Sequence, residues 1–334
     1  MIKVGVIGYG YWGPNIVRNF SQAEKSTVTT VCDINPKNLE KVQKQYPEIK
    51  TTKDYKDIIN SSEIDAVAII TPVSSHFKLA YDALNSGKHI FIEKPFTASS
   101  DEAKQLIDLA AKKKLTIMVD HTFLFNGAVK KIKSLVDEGA LGDILYYDST
   151  RINLGLFQHD VNVIWDLAPH DFSIMNHLIK SKPISVSAVG KALYNKKQEE
   201  VAYVNIEFDN GSIAHLNFNW LSPIKVRKTL IGGKKKMLVW DDIEAVEKIK
   251  IYDHGVDVTT QEGIYNTLVQ YRTGDIYAPK IDNTEALKEE ISYFNDCVEK
   301  GKTPINDGVA GLQVVEILEK TSVSIKNSKT EFFN

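Results

Sequence analysis

The chain is poor in cysteine. Of 334 residues only Cys32 and Cys297 are cysteines, far apart and each set in an apolar pattern. That argues against a disulfide-stapled scaffold or a thiolate metal cluster, and favours two reduced core residues. Neither sign of charge dominates, with 41 Lys and Arg against 43 Asp and Glu. Without a basic excess, neither nucleic acid nor a membrane surface is expected as a partner. No run approaches the ~18 apolar residues of a membrane span. The opening MIKVGVIGYG enters a strand at once, with no basic and long apolar leader before it, so a cytoplasmic protein is expected. The remaining composition, 43% hydrophobic and 25% charged, is that of an ordinary globular protein, and the length suggests two domains.

Over residues 1–120, β-rich runs alternate with helical patterns. Strands are expected at 3–7, 27–33, 66–71, 89–92 and 116–120, with helices at 14–22, 36–46, 55–60, 76–86 and 100–113. Runs such as AVAII are apolar on both faces, as in a parallel strand covered by helices. This βαβ rhythm predicts an α/β, doubly wound Rossmann sheet. After residue 120 the pattern changes. A helix is expected at 128–138, then long alternating strands. Ala202, Val204, Ile206 and Phe208 share one face, Asp209-Asn210-Gly211 supplies a turn, and Ala214, Leu216, Phe218 and Trp220 continue. A further hairpin is expected to turn at Gly232-Gly233, and two helices, at 285–300 and 308–324, close the chain. Residues 121–334 are thus expected to form an α+β domain with a large, mostly antiparallel sheet.

The first strand runs into Gly8-Tyr9-Gly10-Tyr11-Trp12-Gly13, followed by a helix. In that context the first glycine permits a tight turn, the second a close approach of backbone to a pyrophosphate, and the third close packing of helix on strand. Amide donors and the helix dipole then meet the phosphates. Asp33 ends the second strand 20 residues beyond Gly13. A carboxylate there accepts hydrogen bonds from a ribose diol and repels a 2′-phosphate, which favours NAD over NADP. Gly8, Gly10, Tyr11, Trp12, Gly13 and Asp33 are therefore expected to bind the cofactor. Thr71, Pro72 and His76, at and beyond the end of another strand, are expected to join them.

GKHIFIEKPF ends an apolar strand on Glu93, Lys94 and Pro95. Ligands of open parallel sheets bind beyond the carboxyl ends of the strands. Lys94 is expected to reach and bind a cofactor laid across residues 8–13, and is placed to donate a hydrogen bond to a substrate oxygen, or to shuttle a proton once desolvated. Glu93 would anchor ribose or orient the ammonium.

Farther along, WDLAPHD opens a helix expected from about residue 166 to 179, with Pro169 in its first turn. Asp166 and His170, four apart, share a face suited to proton chemistry. Before it, Arg151, Asn153, Gln158, Asn162 and Trp165 offer a guanidinium, amides and an aromatic ring for a sugar or anion. His121 follows the fifth expected strand and is placed either near Lys94 or in a structural hydrogen bond. His159 and Asp160, with Asp166 and His170, raise the question of a metal.

The glycine motif, the strand-end EKP and WDLAPHD together resemble the Gfo/Idh/MocA oxidoreductases, over nearly the whole chain. That resemblance implies a lysine, Lys94, that binds the substrate hydroxyl beside the nicotinamide, a cis Lys94-Pro95 bond, and Asp166 and His170 against the substrate. Lys94 or His170 would be the base. It implies NAD chemistry on a secondary alcohol, without a metal. The segment at residues 146–165 and YRTGD at 271–275 look similar to members of nucleotide-sugar biosynthesis. The expected substrate is therefore a nucleotide-activated hexose or its uronic acid, bound by Lys94, Arg151, Asn162, Trp165, Asp166 and His170. A free sugar or inositol, an NAD-dependent glycosidase, and a non-catalytic sensor are the alternatives. A homodimer or homotetramer through the second domain's sheet is implied, on a face carrying Ile213, His215, Asn217 and Asn219.

Overall fold

The computed structural model describes residues 1–155, 161–194, 196–258 and 269–333; Gln158, His159 and Asp160 lie outside them. The chain divides into two compact units, residues 1–125 with 284–316 and residues 126–283 with 317–334.

In the first unit, β1 (Ile2–Ile7), β2 (Ser26–Cys32), β3 (Lys50–Thr52), β4 (Ala66–Ile69), β5 (His89–Ile92) and β6 (Ile117–Val119) form a parallel sheet in the order β3-β2-β1-β4-β5-β6. The order reverses between β1 and β4, which opens a crevice at their carboxyl ends. Connecting helices are α1 (Gly13–Gln22), α2 (Pro36–Gln45), α3 (Lys56–Ile59), α4 (Val73–Asn85) and α5 (Ser100–Lys113). Their limits follow from side chains. Asn35 accepts the Lys37 N–H at 3.1 Å to start α2. Ser99 caps α5 in the same way, with Asp101 and Glu102 in its first turn and Lys112 and Lys113 in its last, matching the helix dipole. The edge strand β3 has only three residues and no alternation long enough to announce it in the sequence.

The helix Ala286–Lys300 belongs to this unit, whereas a boundary at residue 120 assigns it to the second domain. Packing explains the difference. Its inward residues Leu287, Ile291, Phe294 and Cys297 join the core of the parallel sheet. Phe294 packs edge-on against Phe20 and Phe91, with centroids 5.9 and 5.7 Å away. Cys32 and Cys297 are both free and buried.

The second unit holds α6 (Gly127–Asp137), α7 (Val163–Leu178) and a nine-stranded sheet. Its strands are β7 (Ile144–Leu154), β8 (Pro183–Lys191), β9 (Val201–Phe208), β10 (Ile213–Asn219), β11 (Leu221–Gly233), β12 (Met237–Asp241), β13 (Ile249–Tyr252), β16 (Ile276–Tyr277) and β17 (Glu331–Phe332). Two further strands, β14 (Gly255–Val258) and β15 (Val269–Arg272), pair with each other. Pairing in the large sheet is antiparallel except for β7 with β10. In the β9–β10 hairpin Ala214 faces Ile206 and Leu216 faces Val204, and the alternating apolar residues are buried. Gly232 and Gly233 end β11 instead of forming the turn, which falls on the three lysines after them. A Cβ at Gly232 would lie 2.0 Å from the Tyr146 ring, so close packing across the sheet accounts for this glycine.

Helix α7 starts earlier than residue 166, because Asn162 accepts the Trp165 N–H at 3.0 Å and sets the cap. Pro169 consequently sits inside the helix instead of in its first turn. Lacking an N–H, it leaves the Trp165 carbonyl without its helical donor. Among the described residues no helix is long and apolar enough to cross a membrane.

Candidate active site

The first unit supplies a cradle at the crevice. Gly8 has φ +101°, and a Cβ there would lie 2.1 Å from Ile70 O, so only glycine makes this turn. A Cβ on Gly13 would meet Gly8 O at 2.8 Å, which lets α1 start hard against the turn. Gly10 is different: it is exposed and nothing lies within 4 Å of its Cβ position, leaving its backbone open to a ligand. Tyr11 and Trp12 stand out beside it, 84% and 47% exposed, their rings edge to face.

Asp33 closes the far side. Its Oδ2 accepts the Tyr9 N–H at 2.6 Å and the Asn38 amide at 3.2 Å, and its Oδ1 accepts the Asn35 N–H at 2.7 Å. The carboxylate is thereby fixed beside the glycine loop. A carboxylate has about four acceptor sites, so some capacity remains for a ribose hydroxyl. An open backbone cradle with an oriented carboxylate fits a dinucleotide.

Lys94 follows β5, and its peptide bond to Pro95 is cis. Its backbone N–H donates to the Glu93 carboxylate in a short contact. His76, fully buried on α4, lies with Nδ1 2.9 Å from Pro95 O and Nε2 2.8 Å from Thr71 O. Both ring nitrogens of His76 are thus occupied by the chain itself. The residue ties the end of β4 to the peptide after Lys94. Burial, and then nearby Lys94, lower its proton affinity. Thr71 also meets the Ser75 hydroxyl at 2.7 Å, and Pro72 is exposed just ahead of α4.

Buried Asp120 and His121 lie beside Lys94, and buried Glu290, which no motif announces, lies beside Asp120. His121 is 1% exposed, and neither ring nitrogen meets a hydrogen-bond partner among the described residues. Burial, reinforced by Lys94, pushes its pKa down to about 3, so the ring is neutral. Asp120 and Glu290 are carboxyl neighbours, and burial raises both above the usual carboxylate range. One sequence signal existed for Glu290: it stands on the inward face of an amphipathic helix, beside Leu287 and Ile291, where a charged residue is out of place.

The second unit gathers Asn162, Trp165, Asp166 and His170 on the first two turns of α7. Asn162 caps the helix and donates to Glu199 at 2.7 Å. Trp165 Nε1 donates to Ser322 at 3.0 Å, and Asp166 Oδ2 accepts from Trp220 Nε1 at 3.2 Å. Half-buried His170 stands one turn beyond Asp166. Arg151 takes a different place. Its Nε donates to Asp171 in a short buried contact, and Ser149 donates to the same carboxylate at 2.6 Å. Among the described residues no group of three His, Cys, Asp or Glu has metal-ligand geometry.

Comparison with known proteins gives these arrangements a context. Residues 2–121 match a family model described as an oxidoreductase family, NAD-binding Rossmann fold. Residues 129–239 match the GFO/IDH/MocA C-terminal domain. The UDP-N-acetylglucosamine 3-dehydrogenase of Acidithiobacillus ferrooxidans is 26% identical over 97% of this chain and 97% of its own. A solved structure of that enzyme superposes with a TM-score of 0.80 at 25% identity, covering 98% of each chain. The NAD(+)-dependent scyllo-inositol 2-dehydrogenase of Bacillus subtilis is also 26% identical, over 91% of this chain and 87% of its own. With both domain models matched in order, and the open glycine cradle and the lysine–cis-proline strand end in place, the chain belongs to the Gfo/Idh/MocA family of oxidoreductases.

Proposed function

We propose that the chain is an NAD-dependent dehydrogenase of a secondary alcohol on a sugar, most plainly a nucleotide-activated hexose or its uronic acid. One observation carries this: the backbone around Lys94 is clamped on both sides, by Glu93 and by His76, on the same strand-end edge as the glycine cradle. Such clamping suits a side chain that must meet a reacting atom in one orientation.

NAD, when bound, takes up the hydride of the carbinol carbon. Gly8, Gly10 and Gly13 make room for its pyrophosphate, Asp33 receives its adenosine ribose, and Tyr11, Trp12, Thr71, Pro72 and Glu93 flank it. The charge of Asp33 disfavours the 2′-phosphate of NADP. Lys94 binds the substrate hydroxyl and, with His170, removes its proton. Asp166 orients the hydroxyl or the imidazole. Of the expected contacts, His76 and Arg151 act by holding structure, His76 through two carbonyls and Arg151 through Asp171.

The nucleotide-sugar assignment draws on the Acidithiobacillus relative. An inositol substrate has comparable support, since the scyllo-inositol dehydrogenase is equally identical in sequence. NADH formation with purified protein, NAD or NADP, and a panel of nucleotide sugars, free sugars and inositols decides between them. Turnover on a nucleotide sugar with NAD is expected. No turnover on any member of the panel contradicts the proposal.

We place the enzyme in the cytoplasm, in keeping with its two buried thiols. A second copy would pair on the outer face of the nine-stranded sheet. That face also carries an acidic group, because Asp148 meets His215 there at 3.2 Å.

A further inference from the structure

Ile92 and Val119 are register partners on β5 and β6, so Glu93 and Asp120 leave adjacent strands at one level. The Asp120 N–H donates to Ile92 O at 2.7 Å. Glu290 approaches from the helix Ala286–Lys300 and is completely buried. Asn306 fixes it, its amide donating to Glu290 Oε1 at 2.8 Å and to Val119 O at 2.7 Å. The Thr122 hydroxyl donates to Asp120 in a short contact. Glu290 Oε2 makes no hydrogen bond of ordinary geometry among the described residues, and its neighbours are the Asp120 carboxyl and the Thr122 hydroxyl. Two carboxyl groups bond only through a proton, and two like charges buried together do not both ionise. Burial holds both groups above the ordinary carboxylate range, and repulsion from Asp120 adds to the rise at Glu290.

We infer that Asp120 and Glu290 share one proton and so present a single negative charge to Lys94, setting how readily the lysine takes the substrate's proton. This rests on the role proposed for Lys94. The other titratable groups here are Lys94, which acts on Asp120, and Glu93, which acts on Glu290, both from the segment after β5, with His121, from the segment after β6, beside Lys94. His121 is neutral, so Lys94 is the cation the pair faces. With both acids ionised, three carboxylates, Glu93 included, would hold Lys94 as ammonium and spoil it as a base. With both neutral, the ammonium formed when the lysine accepts a proton would lose the pair's share of its counter-charge. Asp120 and Glu290 are positioning residues that act through Lys94.

Infrared spectra of the full chain at neutral pH should contain the carbonyl stretch of a neutral carboxylic acid, and Glu290→Gln should remove it. The pH–rate profile supplies the second readout. The side-chain amide that Glu290→Gln introduces can donate in place of the shared proton and leaves one negative charge, so the ascending limb stays where it is. The double variant D120N/E290Q removes the charge, and the limb should move about one unit lower, a tenfold change in proton affinity. Absence of the neutral-acid band from the wild type overturns the shared proton, whatever the protein catalyses. An unmoved limb in the double variant overturns the positioning role. The band without turnover on any substrate upholds the shared proton and contradicts the proposed function.

Discussion

The Asp33 carboxylate accepts the backbone N–H of Tyr9 at 2.6 Å, which locks the end of β2 to the glycine loop. Its other oxygen accepts the Asn35 N–H, so an amide at position 33 must turn its NH₂ toward one of these donors. Asp33→Asn is therefore expected to weaken NAD about tenfold, in line with the ~1.5–3 kcal/mol of hydrogen bonds to a charged group, and to narrow the preference over NADP. Dissociation constants for both dinucleotides check this. Unchanged discrimination would contradict the role of the charge.

Gly8 and Gly10 should respond in opposite ways to alanine. At Gly8 the backbone is left-handed and the added carbon strikes Ile70 O, so about 3 kcal/mol or more of stability should be lost. Gly10→Ala meets open space and should alter stability by no more than about 0.5 kcal/mol. It should nevertheless weaken dinucleotide binding at least about tenfold, or ~1.4 kcal/mol, by filling the cradle. Urea denaturation and dinucleotide titration of both variants separate the two effects.

Arg151 and Asp171 form a buried ion pair, with side chains only 6% and 3% exposed. Arg151→Ala leaves the carboxylate buried without its guanidinium, and about 3–5 kcal/mol of stability should go with it. The apolar double variant R151M/D171L should recover a large part. A fully stable Arg151→Ala protein with a raised substrate KM would instead make Arg151 a substrate ligand.

His121 should leave a mark on acid stability. Its pKa is 6.5 when unperturbed and about 3 when folded, so between those values the unfolded chain binds more protons than the native one. The stabilisation is full above pH 6.5 and is lost as the pH falls toward 3, by up to about 1.4 kcal/mol per unit. Other groups titrate in the same range, Glu290 with the opposite sign, so the informative quantity is the difference from His121→Asn. The stability gap between wild type and variant should shift steadily in favour of the variant below pH 6.5. Parallel curves would show that the buried ring titrates normally.

Local chemistry made much of this molecule legible from sequence. Strand–glycine–helix spacing, alternation in β9 and β10 and the strand-end lysine each rest on residues close together in the chain. What escaped depends on distant packing. Glu290 reaches Asp120 only because Ala286–Lys300 returns to the parallel sheet, and its apolar face does not say which core it covers. Arg151 was read as a ligand because its residue type suits anions, and its bond to Asp171 could not be read, because Asp171 was one helix residue among many. His76 was placed near the cofactor by its position beyond β4, but the direction of its ring is set by Pro95 and Thr71.

Lys94 is proposed to carry the proton chemistry on a dinucleotide scaffold that does not need it for binding. Turnover and NAD affinity of Lys94→Ala, measured on the substrate that the panel identifies, test this most directly. The rate should fall about 10²–10⁴-fold, the usual contribution of a general acid–base group, with the NAD dissociation constant within about threefold of the wild type, or ~0.7 kcal/mol. A variant that turns over at the wild-type rate contradicts the assignment of Lys94.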